Sequence, residues 1–218
     1  MDSIRDRLFG ADPYEGFDPT WADPDLQGWG HEHGVFSASI KKTKPKLIIE
    51  VGTWKGASAI HMGNLCRDLG YDAEIVCVDT WLGPASVFVN ADTEAYVERF
   101  NSMRFVNGYP MLYYTFLRNV VDAKLQHRIT PLPQTSEHGA KVLRNYRVSA
   151  DIVYLDAARD KDEVYRDLML YWPLLRRRGH LIGNDYKNSE VRTGVERFSD
   201  RMKVEPEALG GKFRFIKT

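Results

Sequence analysis

This chain is short of cysteine, of net charge and of long apolar runs, and each shortage closes off a class of protein. Of 218 residues only Cys66 and Cys77 are cysteine. Two cysteines cannot frame a disulfide-rich secreted fold. Both fall in segments that read as helix and strand, where a thiol acts as a small buried apolar group. A reducing, cytoplasmic setting is the expectation. Lys plus Arg equals Asp plus Glu at 30 each, so the formal charge is zero. A nucleic-acid partner would call for a basic excess, and none is expected. No apolar run approaches the about 20 residues that cross a bilayer. The start, MDSIRDRLFGADPYEGF, mixes acidic, basic and polar residues without a signal-peptide core. No membrane insertion is expected.

What is there is a 43% hydrophobic chain, enough for the core of one domain. Residues 1–30, with DPYEGFDPTWADPDLQGWG, read as an irregular arm that Phe17, Trp21 and Trp29 could pin to the rest. Residues 31–218 read as the domain. Either a homodimer or a piece of a larger multidomain chain is compatible with this length.

Helices and strands alternate along the domain. A helix over residues 33–42 precedes a strand, Lys46–Val51. A helix over 56–69 closes at Gly70, and a strand follows over Ala73–Thr80. Residues 81–126 form an aromatic-dense insertion. Then come a strand at Arg128–Pro133, a helix over 136–145 and a strand at Asp151–Ala157. An amphipathic helix over 160–175 is closed by Arg176–Gly179, whose cations suit a helix C-terminus. A strand at His180–Asp185, a helix over 189–201, a short strand, a Gly210–Gly211 turn and a strand at Lys212–Lys217 end the chain. The pattern predicts an α/β fold, a Rossmann-like, doubly wound, mostly parallel seven-stranded sheet. The closing hairpin makes the C-terminal strand antiparallel.

The run LIIEVGTWKGASAIHMGNL, from Leu47 to Leu65, carries the most information. An apolar strand reaches Glu50, turns through Gly52 and Gly56, and opens a helix. Gly52 can take positive φ and has no Cβ to block a ligand. Free N–H groups at the helix start favour anionic groups. The joint predicts a nucleotide-like ligand at the carboxyl end of the sheet. The dehydrogenase pattern Gly-x-Gly-x-x-Gly is absent from it.

From Glu50–Gly56, Asp79 inside VDTW, LDA at Asp156 and GNDY at Asn184–Asp185, residues 30–218 resemble the class I S-adenosylmethionine-dependent methyltransferases. VGTWKGAS with VDTW looks closest to the macrocin-type and glycan-modifying sugar O-methyltransferases. The resemblance implies S-adenosyl-L-methionine as cofactor and a small-molecule or glycan acceptor. It places Glu50, Gly52, Thr53, Gly56 and Ser58 beside the methionine part. Asp79 would accept both ribose hydroxyls, with Thr80 next to it, and Trp81 would cover the adenine edge. Gln134, Thr135 and Ser136 would meet the adenine. For several of these a plainer role is also open: Ser58 and Ser136 as helix caps, Trp81 as core.

A sugar hydroxyl is a poor acid and needs a close base, a metal, or both. Asp156, Asn184 and Asp185 would meet at one rim, a donor set that suits Mg²⁺ or Mn²⁺; Asn184–Asp185 also reads as a cap of the next helix. Relatives commonly carry His or Lys three residues after the Asp156 position. Here that residue is Arg159, which does not deprotonate in proteins. The base candidates are then Asp160, a metal-bound hydroxide, or His31 or His33 of GWGHEHG; a metal-free site in which catalytic Asp156 or Asp185 simply orients the hydroxyl is the other reading. The segment from Pro84 to Tyr109 reads as a lid, a wall of the acceptor pocket, or a dimer surface. A sugar hydroxyl leads. A phenolic or catechol-type acceptor is the second enzymatic reading, and a methyltransferase fold that only binds is the third.

Overall fold

The structure is a computed structural model that describes residues 3–218. Met1 and Asp2, the first residues of the expected arm, lie outside the described residues. In chain order the elements are α1 (Ile4–Phe9), a 3₁₀ turn (Pro19–Trp21), α2 (Gly34–Thr43), β1 (Leu47–Val51), α3 (Ala57–Asp68) and β2 (Glu74–Asp79). The insertion holds α4 (Ala85–Val89), α5 (Val97–Asn101), β3 (Phe105–Val106), β4 (Tyr109–Pro110) and α6 (Leu112–Asp122). Then follow β5 (Ile129–Pro133), α7 (Ser136–Asn145), β6 (Ala150–Leu155), α8 (Lys161–Tyr171), a 3₁₀ turn (Trp172–Leu174), β7 (Leu175–Gly183), α9 (Ser189–Met202), β8 (Glu207–Leu209) and β9 (Lys212–Ile216).

Seven strands form one sheet in the order β5-β2-β1-β6-β7-β9-β8. The first five are parallel to one another, and β9 runs antiparallel between β7 and β8. This is the expected Rossmann-like sheet with an antiparallel C-terminal strand. Ile49, Val51, Val76, Val78, Val153 and Leu155 feed the core on one face. Ile48, Ile75, Cys77, Ile152, Tyr154 and Ile182 feed the core on the other. The period-two alternation of a strand buried on both faces explains this division. It also puts Glu50 on the second face, beside Cys77 on one side and Tyr154 on the other.

The strand order reverses between β1 and β6, so a crevice opens beyond their carboxyl ends. There the Gly52 N–H donates to the Val78 carbonyl, and the Asp156 N–H donates to the Val51 carbonyl. A Cβ on Gly52 would lie 2.6 Å from the backbone of Asp156 and Ala157, and its φ is +82°. The glycine is therefore demanded by one strand end passing against another. Gly56, at φ +91°, would set a Cβ 2.9 Å from the Phe116 ring. Both glycines serve packing within the protein, where the sequence alone pointed to ligand approach.

Four local expectations change. The helix α8 stops at Tyr171, because Pro173 follows in a 3₁₀ turn and has no N–H to continue it. Arg176–Arg178 consequently lie in β7, where Arg176 donates to Asp151 and to the Thr43 carbonyl, and complement no helix terminus. His180 sits inside this longer strand and is buried, so it does not open it. Burial lowers its pKa to about 4. The arm is also more ordered than expected. A Ser3–Asp6 capping box starts α1, the Tyr14 hydroxyl donates to the Ile129 carbonyl, and Phe17 and Trp21 pack on Tyr114 of α6.

Candidate active site

Two adjoining cavities occupy the crevice. The larger, about 630 Å³, lies among the arm, the β1–α3 turn, the insertion and the ends of β6 and β7. The smaller, about 190 Å³, lies over the ends of β2 and β5. Gly52, Trp54, Arg99, Asp156 and Arg159 line both. Asp156 thus stands where the two cavities meet.

Asp79 is at the floor of the smaller cavity. One oxygen accepts the N–H groups of Thr53 (2.8 Å) and Trp54 (2.9 Å), and the other accepts the Trp81 N–H (2.8 Å). Burial raises its pKa, and these N–H groups oppose the rise. A carboxylate has about four acceptor positions, so about one is left for a ligand hydroxyl. These N–H groups leave less of the Asp79 carboxylate for ribose hydroxyls than the sequence implied. The same bonds turn the Thr53 and Trp54 N–H groups away from any bound anion. Thr80, Gln134, Thr135 and Ser136 line this cavity. Thr135, not Ser136, caps α7. The Ser136 hydroxyl donates to Asp167, so its proton is not free for an adenine.

Trp81 is 1% exposed, packs on Tyr113 and Phe116, and donates from its indole to the Trp54 carbonyl at 2.8 Å. It belongs to the core, and the adenine-edge role is corrected accordingly. The Ser58 hydroxyl reaches Glu50, which is fully buried and pushed by desolvation up to about 8. Glu50 is thus a neutral acid under the turn near neutral pH, and Ser58 spends its proton there instead of on a cofactor carboxylate.

Asp156 is held on both oxygens. The Tyr154 hydroxyl donates to one at 2.8 Å and the Asn184 amide to the other at 3.1 Å. Lys212, 1% exposed, donates to the Asn184 carbonyl oxygen and to the Tyr154 oxygen, both at 2.8 Å. Arg159 pairs with Asp185 at 2.8 Å and lies 3.8 Å from Asp156. Burial raises the Asp156 pKa, and Lys212, Tyr154 and Arg159 oppose that. The expected cation ligands Asp156, Asn184 and Asp185 do meet at one rim. Both Asp156 oxygens, the Asn184 oxygen and one Asp185 oxygen are already bonded to the chain's own hydroxyl, amide, ammonium and guanidinium, a set of partners that does not fit Mg²⁺ or Mn²⁺. Among the described residues no three His, Cys, Asp or Glu side chains cluster to hold a metal.

The remaining base candidates separate cleanly. Asp160 caps α8, accepting the N–H groups of Asp162 and Glu163, and lines neither cavity. His33 caps α2 through Nδ1 and also lies outside them. Both catalytic expectations are corrected to capping. His31 lines the larger cavity.

Some lining residues went unnoticed in the sequence. Arg99 of α5 is sandwiched between Trp29 of the arm (4.6 Å) and Trp54 of the turn (4.8 Å). The Trp54 indole donates to Gln27 at 3.1 Å, and buried Lys55 pairs with Asp25. These contacts close arm and insertion over the cleft. Lys212 had a faint signal: alternation in KFRFI puts Lys212 on the opposite face from Phe213 and Phe215 in a strand with little exposure.

An open, mostly parallel sheet with an antiparallel penultimate position and a crevice at the β1–β6 switch defines a class I methyltransferase architecture. A family model described as a methyltransferase domain matches residues 49–186. The chain belongs to that family, and it is an S-adenosylmethionine-dependent methyltransferase by fold. Among solved structures it is similar to the O-methyltransferase NovP, at 15% identity and TM-score 0.63, covering 84% of this chain and 78% of that one. It is similar to an O-methyltransferase from Bacillus cereus in complex with SAH, at 15% identity and TM-score 0.58, covering 100% and 92%. It is also similar to TomG from Streptomyces achromogenes, an O-methyltransferase in complex with SAM, at 14% identity and TM-score 0.57, covering 100% and 91%. No curated protein matches the sequence. Among the described residues no helix is long and apolar enough to cross a membrane.

Proposed function

We propose that this chain transfers a methyl group from S-adenosylmethionine to a hydroxyl of a sugar, in a glycan or a glycosylated metabolite. The observation that carries the reading is Asp156, set at the junction of a cavity fit for a nucleoside and a wider polar cleft. The adenosine part of the cofactor would lie in the smaller cavity, on Asp79 and on the polar side chains of Thr80, Gln134 and Thr135, with the rest in the adjoining cleft. Gly52 and Trp54, which line both cavities, carry it toward Asp156. When bound, it supplies a sulfonium-activated methyl group.

The acceptor hydroxyl needs orientation and a place for its proton. Asp156 provides both. The Tyr154 hydroxyl and Asn184 amide fix its plane, and burial makes it a better proton acceptor than a free carboxylate. His31 lies across the same cleft as a second proton carrier. Trp29, Trp54 and Tyr96 line this cleft, and aromatic rings suit the apolar side of a sugar ring. A cytoplasmic setting accords with two free, buried cysteines.

Mass-spectrometric product analysis with a panel of nucleotide sugars, glycosides and catechols tests the reading. Methylated glycoside with S-adenosylhomocysteine in equal amount is the expected result. Methylation of catechols alone would move the acceptor to the phenolic class. A protein that binds S-adenosylmethionine yet methylates no member would count for a binding module. No calorimetric binding of S-adenosylmethionine at millimolar concentration would sink the reading altogether.

A further inference from the structure

We propose that Arg159 and Lys212 hold the place of a divalent cation at the Asp156–Asn184–Asp185 rim, so that this methyltransferase works without a metal. Four observations converge on it. Arg159 reaches the rim from the loop after β6 and pairs with Asp185. Lys212 reaches it from the antiparallel strand β9 and bonds Asn184 and Tyr154. The Lys212 ammonium, buried from solvent, also lies over the rings of Phe36 (5.3 Å) and Tyr154 (4.8 Å), which favour a cation there. Asn184 turns its amide nitrogen, a donor, toward Asp156 and its oxygen toward Lys212.

Two carboxylates therefore already face two cations. A divalent ion entering between Asp156 and Asp185 would meet the Arg159 guanidinium already on one Asp185 oxygen and would sit close to Lys212. Asn184 could ligate only by breaking its bond to Lys212. The arrangement is thus opposed to a metal by charge and by bonding direction together.

Lys212 is a positioning residue in this scheme. It sets Asn184 and Tyr154, and these set the carboxylate plane of Asp156. Arg159 spends its charge on Asp185, which explains how a residue unable to act as a base can stand three positions after Asp156. The turnover part of the inference rests on the proposed O-methyl transfer; the metal-binding part does not.

The first test is titration of Mn²⁺ against the purified full chain, read by the electron-spin signal of free Mn²⁺. The native protein is expected to leave the signal unchanged at millimolar protein. Arg159→Ala frees Asp185 and removes one positive charge from an exposed side chain. It is expected to bind Mn²⁺ at least about tenfold more tightly, because a neighbouring cation lowers a carboxylate's proton affinity by about one to three powers of ten and repels a metal cation in the same sense. Adding Asp185→Asn to that variant should abolish the gain. Submillimolar Mn²⁺ binding by the native protein, lost in Asp156→Asn or Asp185→Asn, would overturn the inference.

The second test uses turnover. EDTA-treated enzyme should keep its full rate; a rate lost to EDTA and restored by Mg²⁺ would refute metal-free operation. Lys212→Met should lower kcat about tenfold or more while the acceptor KM stays within about twofold, as expected when a reacting group is misaligned but binding is kept. Lys212→Arg, which keeps a cation, should recover part of kcat. An unchanged kcat in Lys212→Met would remove the positioning role. If no acceptor is ever methylated, the Mn²⁺ titration still decides the metal question. If acceptors are methylated and native Mn²⁺ binding is found, only this inference fails.

Discussion

Gly52→Ala offers the most direct check on how the β1 turn positions the site. The new Cβ would lie 2.6 Å from the Asp156 carbonyl carbon and oxygen and from the Ala157 nitrogen. These are backbone atoms between two buried strands, so no flexible side chain can yield. The residue would also keep φ near +82°. Left-handed backbone costs an L-residue about 1–2 kcal/mol. Overpacking a filled site costs about 1–3 kcal/mol more. A total of about 3 kcal/mol should lower Tm by roughly 6–12 °C for a domain of this size. Gly70→Ala is the matched control. It has φ +71° with nothing within 4 Å of an added Cβ, so only the backbone cost of about 1–2 kcal/mol applies. Differential scanning fluorimetry of both variants separates the two contributions. The same substitution displaces the main chain that carries Asp156. Turnover should therefore fall by about a hundredfold, the usual result of an ångström-scale misplacement. If Gly52→Ala melts no lower than Gly70→Ala, the close approach of β1 and β6 is not what requires glycine there.

Asp156→Asn keeps the shape of the rim but removes the proton acceptor. Turnover should drop by about 10²–10⁴-fold with S-adenosylmethionine affinity within about threefold, measured by single-turnover kinetics and calorimetry. Equal loss of both would mean that Asp156 holds the cofactor. Arg99→Ala removes the cation between Trp29 and Trp54. Acceptor KM should rise several-fold and trypsin or thermolysin should cut the arm faster, since each such contact contributes about 0.5–2 kcal/mol. An unchanged cleavage pattern would deny that Arg99 fastens the arm. Glu50 carries a pH signature. Its pKa is raised from 4.5 to about 8, so its burial costs nothing below the unfolded value. The cost grows as pH rises from about 4.5 to 8, because the unfolded chain has then lost a proton that the folded one keeps. Glu50→Gln keeps an acceptor for Ser58 and should flatten the decline of Tm over that window. A decline of the same slope in the variant would place the pH dependence elsewhere.

How much of this was legible beforehand differs by level. The sheet was legible because strands buried on both faces carry runs such as LIIEV and DIVYL that nothing else explains. The end of α8 was not legible from periodicity, because the amphipathic pattern runs on through Pro173, where the missing N–H stops the helix. In the site, Gly52, Asp79, Asp156 and Asn184 line the crevice, and Glu50 lies buried beneath it. Their bonding was not legible. Ser58, Asp79, Asp160 and His33 all turn their polar atoms to the protein itself.

The sequence by itself determined the strand–turn–helix joint, the alternation that builds a doubly wound sheet, and the acidic strand ends. These follow from local periodicity, glycine placement and chain order. Only the tertiary structure decided what each polar atom does, because its partners come from far along the chain. Asp79 meets N–H groups 25 and 26 residues before it. Tyr154 meets Lys212, 58 residues after it, and Arg99 is caught between rings of the arm and the first turn. A carboxylate in a sequence can be a metal ligand, a base or a cap; the cations that the fold brings beside it make the choice.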